Sequence, residues 1–229
     1  MRLIAIDTAT AGPGLCLRDG ERVVGTWQGP PRSGPEPVLA AAVDLLASAA
    51  MTFGSLDGIA FGRGPGAFTG VRLGVALAQG LSLGTGVALL PVSDLAALAW
   101  NAVRHHGWTR VLAILDARQG EVYWGAYAWN ADRGLELQGE EHIAMPRAFQ
   151  APAGDWAWAG SGAGLLPADR SPRHLDPDLA PDAEAVAELG MQALVRGETV
   201  GPEQAMPRYL REQVARPSPR HRRRRNTSA

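Results

Sequence analysis

The sequence predicts an α/β protein built twice from one β-β-β-α unit. The order strand, Asp, tight turn, strand, turn, strand occurs in LIAIDTATAGPGLCLRDGERVVG and again in VLAILDARQGEVYWGAYAWNADRGLEL. Between and after these runs lie segments whose apolar residues recur at three- and four-residue spacing, the period of a helix packed on one side.

The elements follow in chain order. The apolar run from Leu3 to Ile6, closed by Asp7 and Thr8, reads as a buried strand. Gly12-Pro13-Gly14 is a turn, Leu15 to Leu17 a strand, Asp19-Gly20 a hairpin turn and Val23 to Trp27 a third strand. Gly29-Pro30-Pro31 breaks the pattern, and Leu39, Ala42, Val43, Leu46 and Ala49 then mark a helix over 38–50. A strand follows at 56–61, then a glycine-rich loop and helix over 62–80, a short apolar run at 87–91, and a helix from Asp94 to about His105 capped by Ser93. The second run gives strands at 111–115, 122–129 and 135–137, with turns at Arg118-Gln119-Gly120 and 130–134. Later come a strand at 156–159, a helix at 182–195 and a last short helix at 203–212. We expect one half over 1–106, a second over 107–215 and a disordered arginine-rich tail over 216–229, where proline, serine and like charge cannot bury apolar area.

Composition narrows the function. All 22 basic residues are arginine, and six of them lie between 216 and 225, so the preceding chain is acidic. No uninterrupted apolar run is long enough to span a bilayer, and the N-terminal run is too short for a signal peptide, so a cytoplasmic protein is expected. The single cysteine, Cys16, excludes a disulfide framework within the chain.

The stretch GRGPGAFTGVRLGVALAQG, residues 62–80, poses the sharpest question. A phosphate-binding P-loop requires lysine, and the chain has none. Residues 62–67 fit a relaxed dinucleotide fingerprint, but Pro65 removes an amide donor and no acid follows at the spacing a ribose needs. The third reading is helix packing. Gly70, Gly74 and Ala78 share one face, continued by Ala67 and Leu81, and two glycines cost a helix roughly 1 kcal/mol each unless something approaches closely. That face packs either on the chain's own sheet or against a partner. In the loop, Gly64 and Gly66 permit positive φ and Thr69 suits an N-cap. Arg72 opposes the helix dipole, which points to an anionic partner or to plain solvation.

Asp7 and Asp116 end equivalent strands. They either face each other across a cleft that holds a metal nucleotide or cap their own turns. The five histidines, His105, His106, His142, His174 and His221, include no H-x-x-x-H pair, so no metal site is expected. Gly160-Ser161-Gly162 lacks the rest of a nucleophile elbow, and no nucleophile with its base stands out. The arginine tail either meets RNA phosphates or is solvated.

LIAIDTAT, GRGPGAFTGVRLGVALAQGLSLG and LDARQGEVYWGAY, in that order over most of residues 1–130, resemble the TsaB family, also called YeaZ, and MPRYLRE resembles its late P-x-Y-L-R pattern. The resemblance implies an actin/Hsp70-like (ASKHA) fold of two duplicated subdomains, each with a mixed sheet flanked by helices. It implies a non-catalytic subunit that pairs with TsaD, the metal-binding paralogue that modifies adenosine 37 of ANN-decoding tRNAs, and that works with the ATPase TsaE. It further implies a homodimer when isolated and indirect contact with tRNA. No tightly bound cofactor is expected; ATP or ADP and Mg belong to the assembled complex. Carried over, the partner interface is Leu39, Val43, Leu46, Gly70, Val71, Gly74 and Ala78, and the motif loop is Gly64, Pro65, Gly66, Phe68, Thr69 and Arg72. Asp7, Thr8, Asp116 and Arg118 form a vestigial nucleotide site, with Gly160, Gly162 and Gly164 as its adenosine loop. Where the family carries His and Ser/Thr before the first helix, this chain has Arg32 to Pro37. An ATPase or kinase of the same fold acting alone is the alternative, and a metallopeptidase a further rival.

Overall fold

The computed structural model describes residues 1–10, 12–167 and 172–211. In the first half, β1 (Arg2–Asp7), β2 (Gly14–Asp19) and β3 (Arg22–Gln28) form an antiparallel meander, and α1 (Pro35–Ser48) leads to β4 (Gly58–Gly62). Next come α2 (Phe68–Thr85), β5 (Leu89–Val92) and α3 (Asp94–His106). The second half contains β6 (Arg110–Asp116), β7 (Val122–Asn130), β8 (Gly134–Leu137), β9 (His142–Ala144), β10 (Ala157–Ala159), β11 (Leu175–Asp176) and α4 (Ala183–Val195).

The two sheets match strand for strand. The first runs β3-β2-β1-β4-β5, with β4 and β5 parallel to β1. The second, followed from β8, runs β8-β7-β6-β10-β11, with β10 and β11 parallel to β6. This is the duplicated mixed-sheet arrangement of the ASKHA fold. The repeat is incomplete in its helices. Between β8 and β10 the helix expected of the unit is replaced by β9, which pairs with β7, and a single 3₁₀ turn at Pro146–Ala148. Pro146, Pro152 and Gly154 crowd that segment, and proline lacks the N–H a helix needs.

Alternation along β1 and β2 sends Ile4, Ile6, Leu15 and Leu17 to the face covered by α1 and α2, and Leu3, Ala5 and Cys16 to the face covered by α4. Helix α4 therefore lies against the first sheet although it follows the last strand of the second. The ion pair of buried Arg18 on β2 with half-buried Glu188 on α4 ties it there. Conversely α3 packs on the second sheet, where Leu95, Leu98, Ala99 and Ala102 meet Val111, Ala113 and Tyr127. Each half thus lends a helix to the other.

The helix expected at 203–212 does not form. After a 3₁₀ turn at Pro202–Gln204 the chain runs without helix or strand to Arg211, and residue 212 lies outside the described residues. Pro207 cannot donate and biases Met206 away from helix. The carbonyls of Pro202 and Ala205 accept from Gln79 of α2 instead, and the Arg208 N–H donates to the Arg63 carbonyl. The tail expected to be disordered, 216–229, lies outside the described residues.

Candidate functional site

Two surfaces are candidates: the cleft between the halves and the outer face of α1 and α2. The cleft has a volume of about 620 Å³, and its walls include the 65–68 turn, Asp94, Asp116, Arg118 and the segment 208–211.

Its two strand-end aspartates do the same local work. Asp7 Oδ1 accepts from the Ala9 N–H at 2.9 Å, and Asp116 Oδ1 accepts from the Arg118 N–H at 2.7 Å. Each carboxylate caps the turn after its strand. They do not face each other across the cleft. Asp7 is 1% exposed and lies beneath the wall, and Asp94, which abuts the cleft on the first-half side, is itself fully buried. Asp116 stays at the rim, paired with the exposed Arg118 at 3.1 Å. Thr8 turns away from the cleft and donates from Oγ1 to the Gly70 carbonyl at 2.7 Å.

Beneath the wall, Asp7 and Asp94 form a buried carboxyl pair at Gly62. Burial pushes Asp7 up to about 6, opposed by the Ala9 and Thr10 hydrogen bonds. Burial first, and then the Asp7 charge, raise Asp94 well above the ordinary carboxyl range, while the Gly64 N–H at 2.6 Å opposes them. Next to this pair, Glu141 accepts from the Tyr127 hydroxyl at 2.7 Å and from the Ser93 hydroxyl, joining the second half to the N-terminus of α3. Ser93, Asp94, Tyr127 and Glu141 escape a motif search, because they sit at a helix start, on a strand and in a loop before β9, and only the fold brings them together. No group of three or more His, Cys, Asp or Glu side chains among the described residues is placed to hold a metal ion.

The glycine-rich loop is not a phosphate cradle. The Arg63 N–H donates to the Val92 carbonyl, that of Gly64 to Asp94, and that of Ala67 to the Ala9 carbonyl. Three amides that would greet a phosphate are thus committed inside the chain, and Pro65 has none. Helix α2 starts at Phe68 with Ala67 as N-cap, so Thr69 lies within the helix rather than capping it. In the loop expected to hold an adenosine, a Cβ on Gly160 or Gly162 would stand 2.5–2.7 Å from the β6 backbone, so these glycines serve packing.

The small-residue stripe of α2 faces inward. A Cβ on Gly70 would lie 2.0 Å from the Thr8 carbonyl oxygen, and one on Gly74 would lie 2.6 Å from Thr8 Oγ1. Val71, Ala78 and Leu46 are buried in the first-half core. Gly70, Val71, Gly74, Ala78 and Leu46 therefore do not form an outward seam; the close approach the stripe implies is to the end of β1. Of the residues named for that seam, Val43 is 53% exposed and Leu39 half-buried.

The outward side of α2 carries a second small stripe. Ala76, Gly80 and Gly84 are exposed and four apart, Leu83 beside them is 72% exposed, and a Cβ on Gly80 or Gly84 would meet nothing within 4 Å. Arg72 heads this face, with Nε donating to the Tyr209 hydroxyl at 2.8 Å. Its partner within the chain is neutral, not anionic.

Comparison with known proteins gives consistent matches. The family model described as TsaD, tRNA N6-adenosine threonylcarbamoyltransferase, matches residues 36–169. The tRNA threonylcarbamoyladenosine biosynthesis protein TsaB of Escherichia coli K12 is 36% identical, covering 94% of this chain and 96% of that protein. Its namesake from Haemophilus influenzae is 29% identical, covering 93% of this chain and 95% of the relative. The solved structure of YeaZ from Pseudomonas aeruginosa is 40% identical, with a TM-score of 0.84 over 91% of this chain and 99% of that one.

Proposed function

The chain belongs to the TsaB family, and from that premise we propose that it is a non-catalytic subunit of tRNA threonylcarbamoyladenosine biosynthesis that pairs with TsaD through the outer face of α1 and α2. The observation that carries the pairing is the outward stripe of α2. Glycine costs a helix roughly 1 kcal/mol against alanine, and at Gly80 and Gly84 nothing among the described residues requires it. A second helix approaching closely would use the open space, with Val43 and Leu83 as flanking apolar contacts. In the absence of TsaD the same face joins two copies of the chain. TsaE binds the assembled pair, tRNA is met through the complex, and ATP or ADP with Mg belongs to the assembly.

The test is size-exclusion chromatography with light scattering, the chain mixed with TsaD of the same organism. Gly74→Leu cannot serve as the interface variant, because its side chain would strike Thr8. Gly80→Leu is the informative one: it blocks the outer face where nothing among the described residues lies within 4 Å of an added Cβ. A heterodimer for the wild type and none for Gly80→Leu is the expected result.

The rival, an actin-like ATPase or kinase acting alone, is favoured by the cleft of about 620 Å³ between duplicated halves. The inward-turned loop amides and the capped Asp7 and Asp116 count against it. ATP turnover by the isolated chain, lost in Asp116→Asn, would overturn the non-catalytic reading.

A further inference from the structure

The outer face of α2 ends in a stack of three exposed side chains. The Arg72 guanidinium carbon lies 3.7 Å from the centre of the Phe68 ring and 5.6 Å from that of Tyr209, and the two rings are 6.1 Å apart. Tyr209 comes from 137 residues further along, on the segment held by the Arg208–Arg63 backbone bond. Phe68 remains 42% exposed and Tyr209 47% exposed.

A solvated arginine needs none of this support. Arg72 is the one charged residue of α2, the fifth of the helix. No carboxylate among the described residues pairs with it, whereas Arg118 and Arg211 both have acidic partners. Only its Nε is engaged, so the outer edge of the guanidinium, the fork that matches a carboxylate, has no hydrogen-bond partner among the described residues. The rings and the Tyr209 hydroxyl hold that fork in one orientation, removing much of the ordering cost of binding. On the helix Arg72 lies in line with Ala76, Gly80 and Leu83, so the stack continues the small apolar face.

We propose that the Phe68–Arg72–Tyr209 stack is the polar anchor of that face and receives a carboxylate of the partner protein. The inference rests on the pairing reading above and adds the chemistry the partner must present. A single oriented guanidinium between aromatic rings, on a chain whose first 215 residues are net acidic, suits an acidic side chain better than a nucleic-acid backbone.

The experiment is calorimetric titration of TsaD into the full chain at two salt concentrations, with Arg72→Gln, Tyr209→Phe and Gly80→Leu variants whose folding is checked by thermal unfolding. Arg72→Gln should weaken binding about tenfold or more and flatten the salt dependence. Tyr209→Phe, which keeps the ring but frees the guanidinium, should cost a few-fold with the salt dependence retained. Wild-type affinity in Arg72→Gln with binding lost in Gly80→Leu would overturn the anchor and leave the pairing intact. Absence of binding by the wild type would overturn both. Unchanged pairing by Arg72→Gln together with weakened binding of tRNA would identify phosphate as the ligand and overturn the proposal.

Discussion

Helix α2 has two faces that look alike in sequence and differ in cause. Gly70, Gly74 and Ala78 form one stripe, and Ala76, Gly80 and Gly84 the other, both at four-residue spacing. The inner stripe is explained within the chain: Thr8 occupies the space a side chain would take, and its hydroxyl bonds the Gly70 carbonyl. The outer stripe has open space beyond it. Spacing shows that a helix invites close approach; only the packed structure shows which approach is already made.

Substitutions on the two faces should therefore have opposite signs. The largest effect belongs to Gly74→Leu, which drives a branched side chain into Thr8 and should leave no cooperative unfolding transition. Gly70→Ala places a methyl group 2.0 Å from the Thr8 carbonyl, and we expect a loss of roughly 2–4 kcal/mol in urea denaturation despite the better helix propensity of alanine. If either variant is as stable as the wild type, the inner assignment is broken.

The buried carboxyls beneath the inner face give a second, smaller handle. Asp7 titrates near 6 in the fold against an ordinary 3.8, so folding favours its protonated form. Its contribution is full below about pH 4 and is lost as the pH rises through 6. Asp94, also raised by burial, adds in the same direction. The urea midpoint should fall between pH 5 and pH 7.5, with a slope of up to about 1.4 kcal/mol per pH unit for each proton released, and Asp7→Asn should reduce that slope. Asp176, held low by its hydrogen bond to His106, works the other way and costs stability only in acid.

The segment that carries Tyr209 is tied to the second half by Arg211, which pairs with Glu121 at 2.5 Å and reaches the Ala117 carbonyl at 3.1 Å. Arg211→Ala should cost about 1 kcal/mol and speed hydrogen exchange around 117–121 without altering exchange in β1 or β4. Smallest of all, Gly80→Ala should stabilise the isolated chain by a few tenths to about 1 kcal/mol. A destabilisation there would mean that the outer face is already in use within the chain.

Much of the architecture could be read from the letters. The strands at β1, β2, β6 and β7 announce themselves by short apolar runs ending in Asp and turn residues, and their repetition revealed the duplication. The helical periods of α1, α3 and α4 were equally plain, but a period defines a face and not what it meets. Nothing local tells α4 to cross back onto the first sheet, where Val186 and Ala187 meet Leu3 and Ala5. The apolar and charged letters at 203–212 suggest a helix that Pro207 prevents. At the site, the capping roles of Asp7 and Asp116 are legible as one of two readings, whereas Asp94, Glu141 and Tyr209 are not, since their partners lie 14 to 137 residues away. The stripe of Gly70, Gly74 and Ala78 reads as a seam for a partner because two stripes of the same spacing share α2, and spacing alone does not say which of them Thr8 already fills.

The central claim is that the outer face of α2, and not the inner one, is built for a partner. Light scattering on size-exclusion peaks of the wild type and of Gly80→Leu, each mixed with TsaD, tests it most directly. The account predicts a heterodimer for the wild type and separate components for Gly80→Leu, whose thermal midpoint is at least as high as the wild type's. A heterodimer formed equally well by Gly80→Leu would contradict it.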